Sequence, residues 1–239
     1  MTVPAASAQN VPHIARAPWV TRLIGKTMAL GYRLVGKHRY DDYRMERIKG
    51  MPFLVTPSVF NPRVPRTGEF LASLIDSNLI GRDYEVLDMG SGSGVCAVVA
   101  AKYARRVVAV DINPAAVRCT RINAYLNGVE DGIDARHGDL FAPVERERFD
   151  LILFNPPFLV GPPRDDRDRA WRSSDIAERF AAGLGERLKP GGFALILLST
   201  FGDGSLFLRE CGRSGLAISE IARRRFVNET LIVFKLIPR

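Results

Sequence analysis

From Tyr84 to the C-terminus, apolar runs of strand length alternate with segments whose apolar residues recur at helical spacing. Glu85–Met89, Val107–Val110, Leu151–Phe154 and Phe193–Ser199 read as strands. Val95–Arg105, Ala115–Leu126 and Ile176–Leu188 read as helices. "LILF" at 151–154 and "ALILL" at 194–198 are apolar at every position, as a strand buried on both faces requires. The pattern predicts an α/β domain with a parallel sheet and helices on both faces. The end of the chain departs from it: Leu216–Arg223 and Thr230–Leu236 flank Phe226–Glu229 with no helix between them, which predicts a closing antiparallel hairpin.

Ahead of Tyr84 the signals are local. Tyr43–Ile48 and Met51–Val55 flank Lys49-Gly50 and read as a hairpin. Pro57–Pro65 contains three prolines and cannot be helical, whereas Arg66–Ile80 regains helical periodicity through Phe70, Leu71, Leu74 and Ile75. Further upstream, Trp19, Leu23, Ile24, Met28, Leu30 and Leu34 fall near helical spacing with Arg16, Arg22, Lys26 and Arg33 between them. That describes an amphipathic basic helix.

Charge sharpens this picture. The 239 residues carry a net +8, of which +6 lies in residues 1–50. Such an arm can meet nucleic acid or an anionic surface, or it can be the solubilising face of a helix packed on the main domain. It holds no acidic residue before Asp41, a composition shared with organelle-targeting presequences, but the chain is expected to be cytoplasmic. No apolar stretch approaches the ~20 residues of a membrane-spanning helix. Cys96, Cys119 and Cys211 show no paired spacing and read as reduced thiols.

The strongest local signal is "VLDMGSGSGV", Val86 to Val95: a strand, then Gly90, Gly92 and Gly94, then a helix. Glycines there permit a tight turn and close backbone approach to a ligand. Asp111 lies 21 residues beyond Gly90, where an acidic side chain can grip a ribose diol, and a dinucleotide site would fit equally well. However, the loop reads G-x-G-x-G, and Asp88 just ahead of it suits an amino group better than a pyrophosphate. Asp139, in "HGDLF", follows a further predicted strand at the same sheet edge, within reach of an adenine amine. After "LILF" comes "FNPPF", Phe154 to Phe158. Neither proline has an N–H, so the loop presents acceptors: the Asn155 side-chain oxygen and the Pro156 carbonyl could each take a hydrogen bond from one substrate –NH2, while Phe158 offers a flat face for stacking. The charged run Arg164–Arg169, with Trp171 and Arg172 beyond it, is expected to form a flap over that pocket. His13, His38 and His137 lack metal-ligand spacing, and no metal is expected.

Together "VLDMGSGSG", "VDIN", "GDLF" and the N-P-P-F loop resemble the class I S-adenosylmethionine (SAM) methyltransferases over about residues 53–235. "VTPSVFNPR…TGEFLA" is most similar to the release factor glutamine methyltransferases and their relatives. The resemblance implies a Rossmann-like fold with a mostly parallel seven-stranded sheet. It implies SAM as cofactor, with a cofactor set of Asp88, Gly90, Ser91, Gly92, Gly94, Asp111, Ile112, Asn113, Asp139, Leu140 and Asn155, and Asn155, Pro156 and Phe158 at the acceptor. The three glycines would line the methionine part, Asp111 the ribose, and Asp139 with Leu140 the adenine. From their charge and spacing, residues 1–50, the basic helix and the start of the hairpin, are expected to be a lid or docking element, with 51–239 the SAM-binding catalytic domain. Release factor enzymes usually carry a larger N-terminal domain and end the loop in tyrosine. The acceptor nitrogen is therefore left open between protein glutamine, a nucleobase amine and a small molecule. Two further readings compete: a cyclase that consumes SAM through its own aminobutyryl chain and releases methylthioadenosine, and a non-catalytic nucleic-acid-binding module.

Overall fold

The computed structural model describes residues 42–63, 66–157, 159–160, 172–173, 175–227 and 229–239. The amphipathic segment 14–34, Phe158, the run 164–169 and Trp171 lie outside the described residues.

A hairpin opens the fold, β1 (Arg44–Ile48) pairing antiparallel with β2 (Met51–Val55). Its second strand is fastened to the rest of the fold through Leu54, whose N–H donates to the Asn123 side chain at 2.7 Å. After it come α1 (Thr67–Ser73), β3 (Glu85–Met89), α2 (Val95–Ala101), β4 (Arg106–Asp111), α3 (Pro114–Leu126), β5 (Ile133–His137) and β6 (Phe149–Phe154). Two short strands, β7 (Leu159–Val160) and β8 (Arg172–Ser173), pair in parallel. The chain closes with α4 (Ile176–Arg187), β9 (Leu188–Ser199), α5 (Gly204–Arg213), β10 (Leu216–Arg225) and β11 (Thr230–Pro238).

Seven strands form one sheet in the order β10-β11-β9-β6-β3-β4-β5. The five from β9 to β5 are parallel, and β11 and β10 close the edge antiparallel. Alternate residues of each strand enter opposite cores. Leu87, Met89, Ile152 and Phe154 meet the Phe180 and Phe207 side of α4 and α5. Val86, Leu151 and Leu153 meet the Phe70 and Val98 side of α1 and α2. Two-sided burial is why the central strands read as unbroken apolar runs.

Two elements differ from the sequence reading. The helix expected over 66–80 stops at Ser73, because the Asp76 carboxylate accepts the N–H groups of Asn78 (2.9 Å) and Leu79 (3.0 Å) and so satisfies the backbone outside a helix. Ile75 and Ile80 are still buried, which explains the continued apolar spacing. Helix α5 carries no sequence expectation at all: Gly202, Gly204 and Gly212 dilute its pattern, and Asp203 starts it by accepting the Leu206 N–H. Cys96, Cys119 and Cys211 are free and buried.

Candidate active site at the carboxyl ends of the parallel strands

The loops leaving β3, β4, β5 and β6 surround one cleft with a cavity of about 150 Å³. This is where an open parallel sheet offers a crevice, since each strand there hands over to a crossover.

Loop 90–94 forms the floor. Gly90, Gly92 and Gly94 all have positive φ (+64°, +55° and +77°), which a side chain would strain. Their duties differ. A Cβ on Gly92 would meet nothing within 4 Å, whereas one on Gly94 would come within 2.9 Å of the Thr120 Cα. Gly94 thus lets the loop lie against α3 and, against expectation, is not among the residues lining the cleft; Gly90, Ser91 and Gly92 are. Ser91 is held by its N–H on the Val110 carbonyl (3.1 Å) and by its hydroxyl beside that of Thr120 (3.1 Å).

At the end of β4, the Asp111 carboxylate accepts the N–H of Gly92 and that of Asn113, both at 2.8 Å. It therefore ties the glycine loop to the start of α3. Burial pushes its pKa up, while those two N–H groups and nearby His137 pull it down. Asn113 caps α3 by accepting the Ala115 N–H (2.9 Å) and donates to the Ser58 carbonyl (2.9 Å). Ile112 lines the cleft, and its carbonyl meets Nε2 of His137 at 2.9 Å.

Asp88 is buried in β3 and accepts the Ala97 N–H of α2 at 2.9 Å. Burial pushes its pKa up to about 7; the Ala97 N–H pulls it down, and neighbouring Asp111 pushes it up. Across the cleft, the Asp139 carboxylate has a partner within the chain. Its Oδ2 lies 2.7 Å from Nη2 of Arg179 on α4. Leu140 beside it is buried with φ +48°, a costly backbone for a branched side chain and one that tends to persist at functional sites.

The acceptor side is the loop after β6. Asn155 Nδ2 donates to the Thr67 hydroxyl (3.1 Å), and Thr67 is fully buried at the start of α1. The amide is thereby oriented with Oδ1 buried and without a hydrogen-bond partner among the described residues. A buried acceptor left unpaired costs about 1–3 kcal/mol, so this oxygen is poised for a donor from outside the chain. Pro156 and Pro157 line the cleft beside it. Beneath, Phe154 packs on Phe180 (centroids 4.7 Å apart) and Phe207 (6.0 Å), fixing the strand end from which the loop departs.

Sequence reasoning missed several contributors. Ser58, Phe60 and Pro62 line the cleft, although "PSVFNPR" was noted only as a resemblance. Thr67 and Arg179 were also missed, since only the fold brings them 88 and 40 residues along the chain to Asn155 and Asp139.

Comparison with known proteins bears on the identity of this cleft. The pattern described as methyltransferase small domain matches residues 50–211. The chain belongs to the methyltransferase small domain family. This methyltransferase is 34% identical over 163 residues to the release factor glutamine methyltransferase of Koribacter versatilis, a match covering 62% of this chain and 57% of that protein. It is 32% identical over 198 residues to a Methanocaldococcus jannaschii protein named for N5-glutamine methyl transfer, covering 78% of this chain and 95% of the other. It thus spans little more than half of the first relative and nearly all of the second. Among solved structures, the T. thermophilus 16S rRNA N2 G1207 methyltransferase, in complex with AdoMet and guanosine, superposes with a TM-score of 0.63. The two are 25% identical, over 83% of this chain and 50% of that one. The chain has the Rossmann-like methyltransferase fold. Among the described residues no His, Cys, Asp and Glu cluster could hold a metal, and no helix is long and apolar enough to cross a membrane.

Proposed function

We propose that this methyltransferase transfers a methyl group to a planar nitrogen, an amide or amine –NH2, held against the N-P-P loop. The observation that carries the reading is the buried, unpartnered Oδ1 of Asn155. Proline has no N–H, so the side chain of the loop and the Pro156 carbonyl offer only acceptors, matching the two hydrogens of one –NH2 group. Two such bonds pull the nitrogen lone pair out of conjugation and turn it toward the electrophile. The names of the relatives, specifying glutamine and guanine N2, support a planar nitrogen.

When bound, SAM supplies an electrophilic methyl group on its sulfonium. The cleft fits it: Gly90, Ser91 and Gly92 give open backbone, Asp111 offers carboxylate lone pairs beyond its two N–H bonds, and the buried Asp88 would gain from a cationic ammonium. The residues of the chain then act by positioning and by excluding water. Asn155 orients and does not act as a base. Asp139 would reach an adenine amine with the lone pairs that Arg179 leaves free, or by exchanging Arg179 for it.

Two expected outcomes test the cofactor side. Asp111→Ala should weaken SAM binding by about 1.5–3 kcal/mol, roughly 10- to 100-fold; calorimetry showing unchanged affinity would remove Asp111 as ribose anchor. Because the Asp88 pKa is raised to about 7, the free enzyme holds a proton there in mild acid, and a neighbouring ammonium favours its release. Affinity for SAM should therefore fall up to about tenfold per pH unit below about pH 7 and level off above it. Titrations in two buffers of different ionisation enthalpy should show proton release, and a flat profile from about pH 5.5 to 8 without release would contradict the contact.

The acceptor is tested by incubating the enzyme with SAM alone and with a glutamine peptide, an RNA oligonucleotide or simple amines. S-adenosylhomocysteine formed only with an acceptor supports transfer. Methylthioadenosine from SAM alone would identify the cyclase reading instead.

A further inference from the structure

The C-terminal hairpin meets the start of α1 beside the acceptor loop, and at this junction two arginines have no carboxylate within ion-pair distance among the described residues. The Arg66 Cζ lies 5.1 Å from the Phe226 ring centroid, and the Arg224 Cζ lies 4.6 Å from that of Phe70 in α1. Arg66 immediately precedes Thr67, the partner of Asn155. Nearby cations are paired: Arg223 with Glu220 (2.6 Å), and Arg63 at 3.7 Å from Glu46. Among the described residues no carboxylate lies within 4.0 Å of Arg66 or Arg224, and Glu69, one turn along α1 from Arg66, makes no ion pair with it, whereas Arg225 faces the other side of the sheet near Glu220. Glu229, the acid of the turn, faces inward, accepts the hydroxyl of buried Ser199 at 2.5 Å, and has its pKa pushed up by burial.

We propose that Arg66 and Arg224 form a docking rim for an unpaired stretch of nucleic acid whose base amine enters the cleft to Asn155. The proposal rests on the nitrogen-acceptor reading and names its substrate class. Cations on an exposed edge strand such as β10 also guard against strand pairing, but that does not explain Arg66. Arg66 sits outside the sheet, at φ +57°, heading α1 without a side-chain cap. A left-handed backbone at a non-glycine residue persists where the fold holds it for a purpose. A guanidinium held over an aromatic ring still has N–H groups to give to phosphate, and guanidinium and aromatic groups are both ones on which bases stack. A nucleobase presents its amine only after leaving the stack. The turn between the strands adds fully exposed Val227 as an apolar contact. An acidic protein would use the charge but has no call on the paired guanidinium and aromatic groups.

The test is fluorescence anisotropy of the full chain with labelled 20-nucleotide single strands of RNA and DNA of one sequence, across a salt series. The comparison is between wild type and the Arg66→Gln/Arg224→Gln variant. At about 0.7 counterions released per single-strand phosphate contact, the variant should flatten the salt slope by about 1.4 and lose about 25-fold affinity near 0.1 M salt. Unchanged SAM affinity in the variant certifies an intact fold. Tighter binding of RNA than DNA names RNA as the acceptor strand, and equal binding keeps both. No binding at low salt, an unchanged slope in the variant, or equal competition by polyglutamate overturns the rim. Since the readout is binding, a failed rim leaves nitrogen transfer standing, and a label found on oxygen or carbon fails that reading whatever the rim does.

Discussion

Asn155→Ala is expected to slow methyl transfer by about 10²–10³-fold while leaving SAM affinity within about twofold, because the lost bond strengthens as positive charge develops on the attacking nitrogen. That corresponds to about 2.7–4 kcal/mol, the range for removing one hydrogen bond made chiefly in the transition state. The fall should appear in kcat more than in KM. Thr67→Val should give a smaller loss in the same direction: Asn155 Nδ2 donates to the Thr67 hydroxyl at 3.1 Å, and without it the amide is free to turn. Steady-state kinetics with isothermal titration of SAM separate the two parameters. An alanine variant that turns over at the wild-type rate removes the acceptor role of this loop.

The second large effect belongs to a residue far from the chemistry. Asn123 in α3 is fully buried, and its amide accepts the Leu54 N–H at 2.7 Å and donates to the Leu54 and Ser93 carbonyls, both at 2.8 Å. One side chain thereby fastens the β1–β2 hairpin, α3 and the glycine loop together. Asn123→Leu strands the buried Ser93 carbonyl and the half-buried Leu54 N–H at about 1–3 kcal/mol each, while the Leu54 carbonyl keeps the Cys119 thiol at 3.2 Å. A loss of about 2–6 kcal/mol is expected, a large part of the 5–15 kcal/mol that holds a typical domain. SAM binding should weaken as well, since Ser93 lines the cleft. Urea denaturation measures the loss; a change below about 1 kcal/mol would show that water or a neighbour replaces the bonds.

These two residues mark the boundary of what the sequence makes legible. Asn155 is visible because its chemistry is local: an asparagine between an apolar strand and two prolines has one conformational role and one set of donors and acceptors. The parallel core is visible for the same reason, burial on both faces leaving an unbroken apolar signature in β6 and β9. Asn123 is a polar residue in a helical pattern, and nothing in its neighbours tells a solvent-facing amide from a buried tie to a strand 69 residues away. Asp139 shows the converse. It follows β5, but its ion pair with Arg179 depends on where α4 packs, which periodicity does not encode. Gly94 was read as ligand-facing because the loop motif weights its glycines equally, whereas α3 at 2.9 Å gives that one a packing duty. Helix α1 was overextended because Ile75 and Ile80 stay buried beyond the turn that Asp76 imposes.

The central claim is that the methyl group of SAM goes to a nitrogen held by Asn155. Its most direct measurement is to supply SAM carrying a ¹³C-methyl group with the acceptor panel and locate the label by mass spectrometry and NMR. The account predicts an N-methyl product, with S-adenosylhomocysteine formed in equal amount and both suppressed in Asn155→Ala. Label on oxygen or carbon, or label released as methylthioadenosine without any acceptor, would contradict it.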